Sequence, residues 1–218
     1  MTEHRMALRP EVRARNDAYS YVCHGCGHCC HHKAIRVSPY EVARLGDVLG
    51  ESTTTVLARD IDPEMSTLRT TAEGACTYLR GTGCAVHAGR PLACRLYPLG
   101  WIVTADGDEA FTEFEGHPRS AGLTGADGTV ADYVDAQGTA PYMDAARRYE
   151  AVLHRLRLAI EVDGPDPGDS PPLADVDAAV EGDCARRGVA VPEGVESRVD
   201  CHLALLHGWL DAAGAPSV

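Results

Sequence analysis

No apolar run in this chain of 218 residues approaches the roughly 18 residues that cross a bilayer, which excludes a helical membrane span. Basic residues are also in deficit. The chain has 20 of them, with a single lysine, Lys33, against 32 acidic residues and a formal charge of −12. A general nucleic-acid binder needs a basic footprint, and charge-driven attachment to anionic lipid needs one too, so neither nucleic acid nor membrane is expected as a partner. The N-terminal stretch carries Arg5, Arg9, Arg13 and Arg15 with no apolar segment among them. It is therefore read as lacking a secretory signal, and a reducing cytoplasm is the expected compartment. Hydrolase elbow, Walker loop and dinucleotide fingerprint are all missing. Carboxylates are plentiful, yet none is placed by spacing as an acid/base pair. If there is catalysis, a metal performs it.

Cysteine is what the chain does have. There are nine, and seven of them lie between positions 23 and 94. A chain of this length can bury a core without covalent staples, structural disulfides are rare in a reducing cytosol, and an odd count fits a complete disulfide framework poorly. Clustered cysteines in that setting read as metal ligands or redox groups. Cys23-x-x-Cys26 is a zinc-knuckle spacing. Extended to Cys29, it is also the three-thiolate run that supplies three corners of a [4Fe–4S] cluster. Cys30 follows directly. Adjacent side chains generally point apart, so Cys29 and Cys30 are expected to serve two metal positions or a polynuclear site with bridging thiolates. Cys76, Cys84, His87 and Cys94 would supply the remaining ligands. Seven cysteines and one histidine make eight donors, enough for two closed four-coordinate sites.

The other candidates are weighed against plainer roles. His24, His28, His31 and His32 flank the cluster and read as solvated groups rather than ligands. Cys184 and Cys201 fall on expected helices and read as packing residues. Arg90 and Arg95 flank Cys94. They are expected to offset the charge of a thiolate site, or to hold the carboxylate or phosphate of a cofactor or substrate.

The coarse organisation is α+β: a small metal-stabilised domain with short strands, a β-hairpin and a capped helix, then a helical C-terminal extension. The boundaries are 17–137 for the cysteine-cluster domain and 138–218 for the extension packing on it. Residues 1–20 read as a polar lead-in and 34–37 as a short strand. Ser38-Pro39-Tyr40-Glu41 is a strong helix start with a capping box, and Gly50 is its stop. Residues 52–60 read as a second helix, and 76–79 and 84–87 as two short strands around a glycine turn. Residues 101–104 and 110–114 read as a hairpin, 116–128 as a glycine-rich loop and 163–172 as a linker. Met143, Ala146, Tyr149, Leu153, Leu156 and Ile160 mark one face of a long helix. Residues 173–186 read as a weaker helix, and Val195, Val199, Leu203, Leu206 and Leu210 as the last one.

The residues resemble the CxxCxxCC putative zinc- or iron-chelating domain, the YkgJ-like cysteine cluster proteins. The resemblance rests on Cys23-x-x-Cys26-x-x-Cys29-Cys30, Ser38-Pro39-x-Glu41, Cys76-x-x-Leu79 and Cys84-x-Val86-His87-x-x-Arg90-Pro91-x-x-Cys94-Arg95-x-Tyr97-Pro98-Leu99. It implies chelation of zinc or iron ions through the seven cysteines. A longer relative, the flagellin lysine-N-methylase, shares the cysteine pattern and implies an Fe–S cluster with S-adenosylmethionine chemistry on a protein or peptide. Many members carry a later Cys-Pro-Gly where this chain has His117-Pro118-Arg119, so His117 either replaces that cysteine as a ligand or leaves an open coordination position. Three readings follow: a closed zinc-binding protein, an iron or Fe–S enzyme modifying a protein or peptide, and a module that buffers or delivers metal.

Overall fold

The structure is a computed structural model that describes residues 12–104, 107–161 and 170–216. Arg5, Arg9, the hairpin turn at 105–106 and most of the expected linker at 163–172 lie outside those residues. The architecture is α+β, with seven α-helices and small antiparallel sheets among the described residues.

Two sheets build one side. Strand β1 (Val12–Arg13) pairs with β8 (Glu109–Glu113), and β8 pairs with β7 (Leu99–Val103) in the expected hairpin, Trp101 opposite Phe111. Strand β2 (Ala18–Val22) pairs with β9 (Leu123–Thr129), Val22 opposite Leu123. The polar lead-in therefore contains two strands, and the glycine-rich loop contains a third. Two further hairpins are minimal: β3 (Ile61–Asp62) with β4 (Thr67–Leu68), and β5 (Leu79–Arg80) with β6 (Gly83–Cys84). The latter is the expected strand pair around a glycine turn, shorter and shifted to the turn itself. Residues 34–37 form no strand; only Arg36 bridges to Thr67.

Helix α1 (Pro39–Leu49) begins as its sequence dictates. Ser38 and Glu41 close the capping box, and Gly50 ends the helix at φ 68°. Helix α2 (Thr53–Asp60) is capped by Ser52. A short helix, α3 (Leu92–Leu96), carries Cys94. Helix α4 (Val130–Ala136) follows β9 and leads into α5 (Ala140–Glu161), α6 (Val176–Arg187) and α7 (Val195–Ala212).

Three clusters make the core. Tyr40 and Ala43 of α1 pack with Tyr142, Tyr149, Val152, Val180, Leu203 and Leu206 of the C-terminal helices. Val42 and Leu45, on the same helix, pack with Val56, Tyr78 and Val86. Tyr19, Phe111, Val130 and Met143 form the third, beneath the sheets. Every apolar position expected to be buried on α7 is buried. On α5 Met143 and Tyr149 are buried as expected and Leu156 packs against the core, but Tyr142, Ala145, Val152 and Ala159 also face inward, while Leu153 and Ile160 are exposed. Small and aromatic residues win because they lie over α7, and Arg155 is tolerated on that face because Asp211 pairs with it at 2.6 Å. Cys184 is buried in this core and Cys201 packs against it, as their helical placement suggested.

Candidate metal centre

The seven clustered cysteines arrive from separate segments. Cys23 follows β2, and Cys26 sits in the loop after it. Cys29 and Cys30 belong to a single 3-10 turn, His28–Cys30, entered through Gly27 at φ 73°. That left-handed angle favours glycine, and a Cβ there would press on the Thr82 carbonyl at 3.0 Å. Backbone pairing holds the second segment against this turn. The Cys76 N–H donates to the Cys30 carbonyl at 2.8 Å, and His32 N–H to the Gly74 carbonyl at 2.8 Å. Cys84 closes the β5–β6 hairpin opposite Leu79, and α3 delivers Cys94 from a third direction.

All seven line one cavity of about 660 Å³, together with His87, Lys33, Glu41, Arg90 and Arg95. The nine cysteines of the chain are all free thiols. Among the described residues no three of these side chains already converge as a tight coordination shell; the thiols share a chamber. The Cys29 and Cys30 thiols, on one 3-10 turn, interact with each other, which lowers the proton affinity of Cys29 and raises that of Cys30. Burial pushes Cys94 up to about 12, with Cys76, Cys29 and Cys84 adding to the effect. Burial also raises Cys76. Cys26, at the opening, is lowered by backbone hydrogen bonds around Ala121 and His28.

The two arginines have defined structural duties. Arg95 donates from Nε to the Arg90 carbonyl at 3.0 Å, from Nη1 to the Gln137 carbonyl at 2.8 Å, and from Nη2 to the Ala88 carbonyl and the Tyr142 hydroxyl. It ties the Cys94 segment to the start of α5. Arg90 donates to Gln137 Oε1 at 2.7 Å, and its Nη1 lies 2.7 Å from His87 Nε2. Guanidinium can only donate, so it holds the His87 ring as a neutral acceptor; burial and the two arginines lower that ring's proton affinity. Both arginines line the cavity with these bonds in place.

His117 is not brought into the cysteine cavity. It lines an adjoining one of about 370 Å³ and stacks on His28 with ring centroids 5.3 Å apart. Its Nδ1 accepts the Arg119 N–H at 3.2 Å.

Two residues with site roles were missed from the sequence. Lys33, noted there only for its rarity, stands with its Nζ 3.8 Å over the Tyr97 ring and within electrostatic reach of Cys29, Cys94 and Cys30. Glu41, recognised only as a cap, also reaches α3, where its Oε1 accepts the Leu92 N–H at 2.7 Å.

The donor set fits a thiophilic metal. Clustered thiols in a shared cavity raise one another's proton affinity, and a bound cation is what relieves that repulsion. Residues 22–116 match the family model CxxCxxCC, described as a putative zinc- or iron-chelating domain. No curated protein and no solved structure matches the chain.

Proposed function

We propose that this chain chelates zinc or iron through Cys23, Cys26, Cys29, Cys30, Cys76, Cys84 and Cys94, in up to two adjoining positions. One observation carries the reading: thiols scattered over 72 positions of sequence, from 23 to 94, line a single cavity. Thiols that share a cavity gain from a cation that replaces their protons. His87 lines the same cavity and is the nitrogen donor available to complete a four-coordinate set, once its ring turns from Arg90. His117 would join only through movement of the loop that carries it.

Bound metal would supply either a structural closure or a Lewis-acidic or redox centre. The chain's own residues do the rest. Arg95 fixes the Cys94 segment, the backbone bond from Cys76 to Cys30 locks the two cysteine segments in register, and Lys33 adds a positive charge beside the thiolates. A reducing compartment would keep all seven thiols available. An iron–sulfur enzyme acting on a protein or peptide is the second reading; the cavity, larger than a metal requires, favours it over simple buffering.

Metal and acid-labile sulfide analysis with a visible spectrum, on protein purified under nitrogen, tests the proposal. Stoichiometric zinc without sulfide or colour would support closed zinc sites. Iron with sulfide and charge-transfer absorption would support the enzyme reading and make S-adenosylmethionine binding the next assay. A colourless protein that neither carries nor takes up zinc or iron would overturn the proposal.

A further inference from the structure

The cavity holds far more space than its proposed metal occupies. Two ions fill no more than two waters do, about 60 Å³ at about 30 Å³ each, and the cavity is about 660 Å³. Beyond the cysteines, part of its wall is aromatic, made by Tyr21, Tyr97, Trp101, Phe114 and Tyr133.

These rings are set in place rather than loosely collapsed. The Phe114 ring lies on Gly100 and the Tyr21 ring on Gly122, so closely that a Cβ at either glycine would run into the ring. Tyr21 stands edge-on to Tyr97 and to Tyr133, at centroid distances of 6.1 and 6.2 Å. Tyr133 is pinned by its hydroxyl, which donates to the Tyr97 carbonyl at 2.7 Å. Phe114 is 53% exposed and lines the adjoining cavity as well, which places it at the boundary between chamber and solvent.

Two cations on this wall have donors to give, Lys33 and the exposed Arg36, and of these Lys33 stands against the aromatic rings. Arg90 and Arg95 are committed to carbonyls, Tyr142, Gln137 and His87. The Lys33 ammonium rests on the Tyr97 ring, and among the described residues no oxygen acceptor is hydrogen-bonded to it. A chamber of this size with apolar walls and one or two directed polar groups has the character of a small-molecule site.

We propose that the aromatic part of the cavity binds a small organic anion, its apolar body against Trp101 and Phe114 and its anionic group on Lys33. The proposal goes beyond the metal reading: it rests on the aromatic wall and on Lys33, and it holds whichever metal is present.

Calorimetric titration of the full chain with phenylpropionate, and with the neutral phenylpropionamide, tests it. The acid should bind saturably at one per chain, and the amide about tenfold more weakly, the size expected for one charge-assisted hydrogen bond. Lys33→Met should weaken the acid by about the same factor and leave the amide unchanged, while Lys33→Arg retains the preference. Phe114→Ala, at a half-exposed position that the fold tolerates, should weaken both. Absence of saturable binding to the unaltered chain would overturn the proposal, as would equal affinity for acid and amide. Metal content measured on the same samples separates the two readings: bound ligand without metal overturns only the metal proposal, and bound metal without ligand overturns only this one.

Discussion

The Glu41 carboxylate joins two helix starts. Oε2 accepts the Ser38 N–H at 2.6 Å, closing the α1 cap, and Oε1 accepts the Leu92 N–H at 2.7 Å, where the Cys94 helix begins. The first-turn N–H groups of a helix lack intrahelical partners, so one buried side chain satisfies an orphan donor on each of two helices. This gives Ser38-Pro39-x-Glu41 a reason to accompany the cysteines. Glu41→Gln keeps one acceptor oxygen and turns an amide N–H₂ towards the other donor. It should cost about 1–3 kcal/mol in urea unfolding, and metal content should fall because Cys94 loses its anchor. Unchanged metal content at reduced stability would confine Glu41 to capping.

The cysteines divide by environment. Cys29→Ser and Cys30→Ser should each reduce bound metal, because both thiols line the cavity. Cys184→Ser should leave metal content unchanged while destabilising the helical core, where Cys184 is buried; placing a hydroxyl there without a partner costs about 1–3 kcal/mol. Full metal content in both Cys29→Ser and Cys30→Ser would overturn the two-position arrangement.

Metal loading should release protons. Burial, reinforced by neighbouring thiols, holds Cys94 up to about 12, and burial also raises Cys76. In the metal-free chain at neutral pH these groups are thiols, and a metal takes thiolates. Apparent affinity should therefore rise with pH through the neutral range. The expected outcome is measurable proton release per metal in weakly buffered titration, reduced in Cys94→Ser.

His202 gives the helical core a pH dependence. It is fully buried; its Nε2–H donates to the Pro172 carbonyl at 2.9 Å and its Nδ1 accepts the Tyr149 hydroxyl at 2.8 Å. Burial lowers its proton affinity from the ordinary value of 6.5. The folded chain thus refuses a proton that the unfolded chain accepts, so this contribution to stability is full above the ordinary histidine range and is lost as pH falls through and below it. Urea midpoints from pH 7 down to pH 5 should decline less steeply in His202→Gln than in the unaltered chain.

What could be read from sequence follows the range of the interactions. The cap of α1, its glycine stop, α2 and the β7–β8 hairpin are local devices and stand where their residues place them. The grouping of the cysteines was legible because few other chemistries need such spacing. The β2–β9 pair was not. Its partners lie about a hundred positions apart, and Leu123–Thr129, with two glycines and an aspartate, has neither the alternation nor the β-branched content of a half-buried strand. The α5 face was right at Met143, Tyr149 and Leu156 and wrong at Leu153 and Ile160, which face solvent while Tyr142, Ala145, Val152 and Ala159 do the packing. The arginines beside Cys94 were recognised as neighbours of the site, but their carbonyl partners come from the end of α4 and from backbone that no spacing reveals.

Helix α1 packs on two sides. Tyr40 and Ala43 belong to the core of the C-terminal helices, Val42 and Leu45 to the core under the cysteine loops, and Glu41 to the Cys94 helix. Such a helix is a wall common to two compartments. A substitution at its buried positions should therefore disturb both the packing beneath the thiol chamber and the packing of α5 and α7.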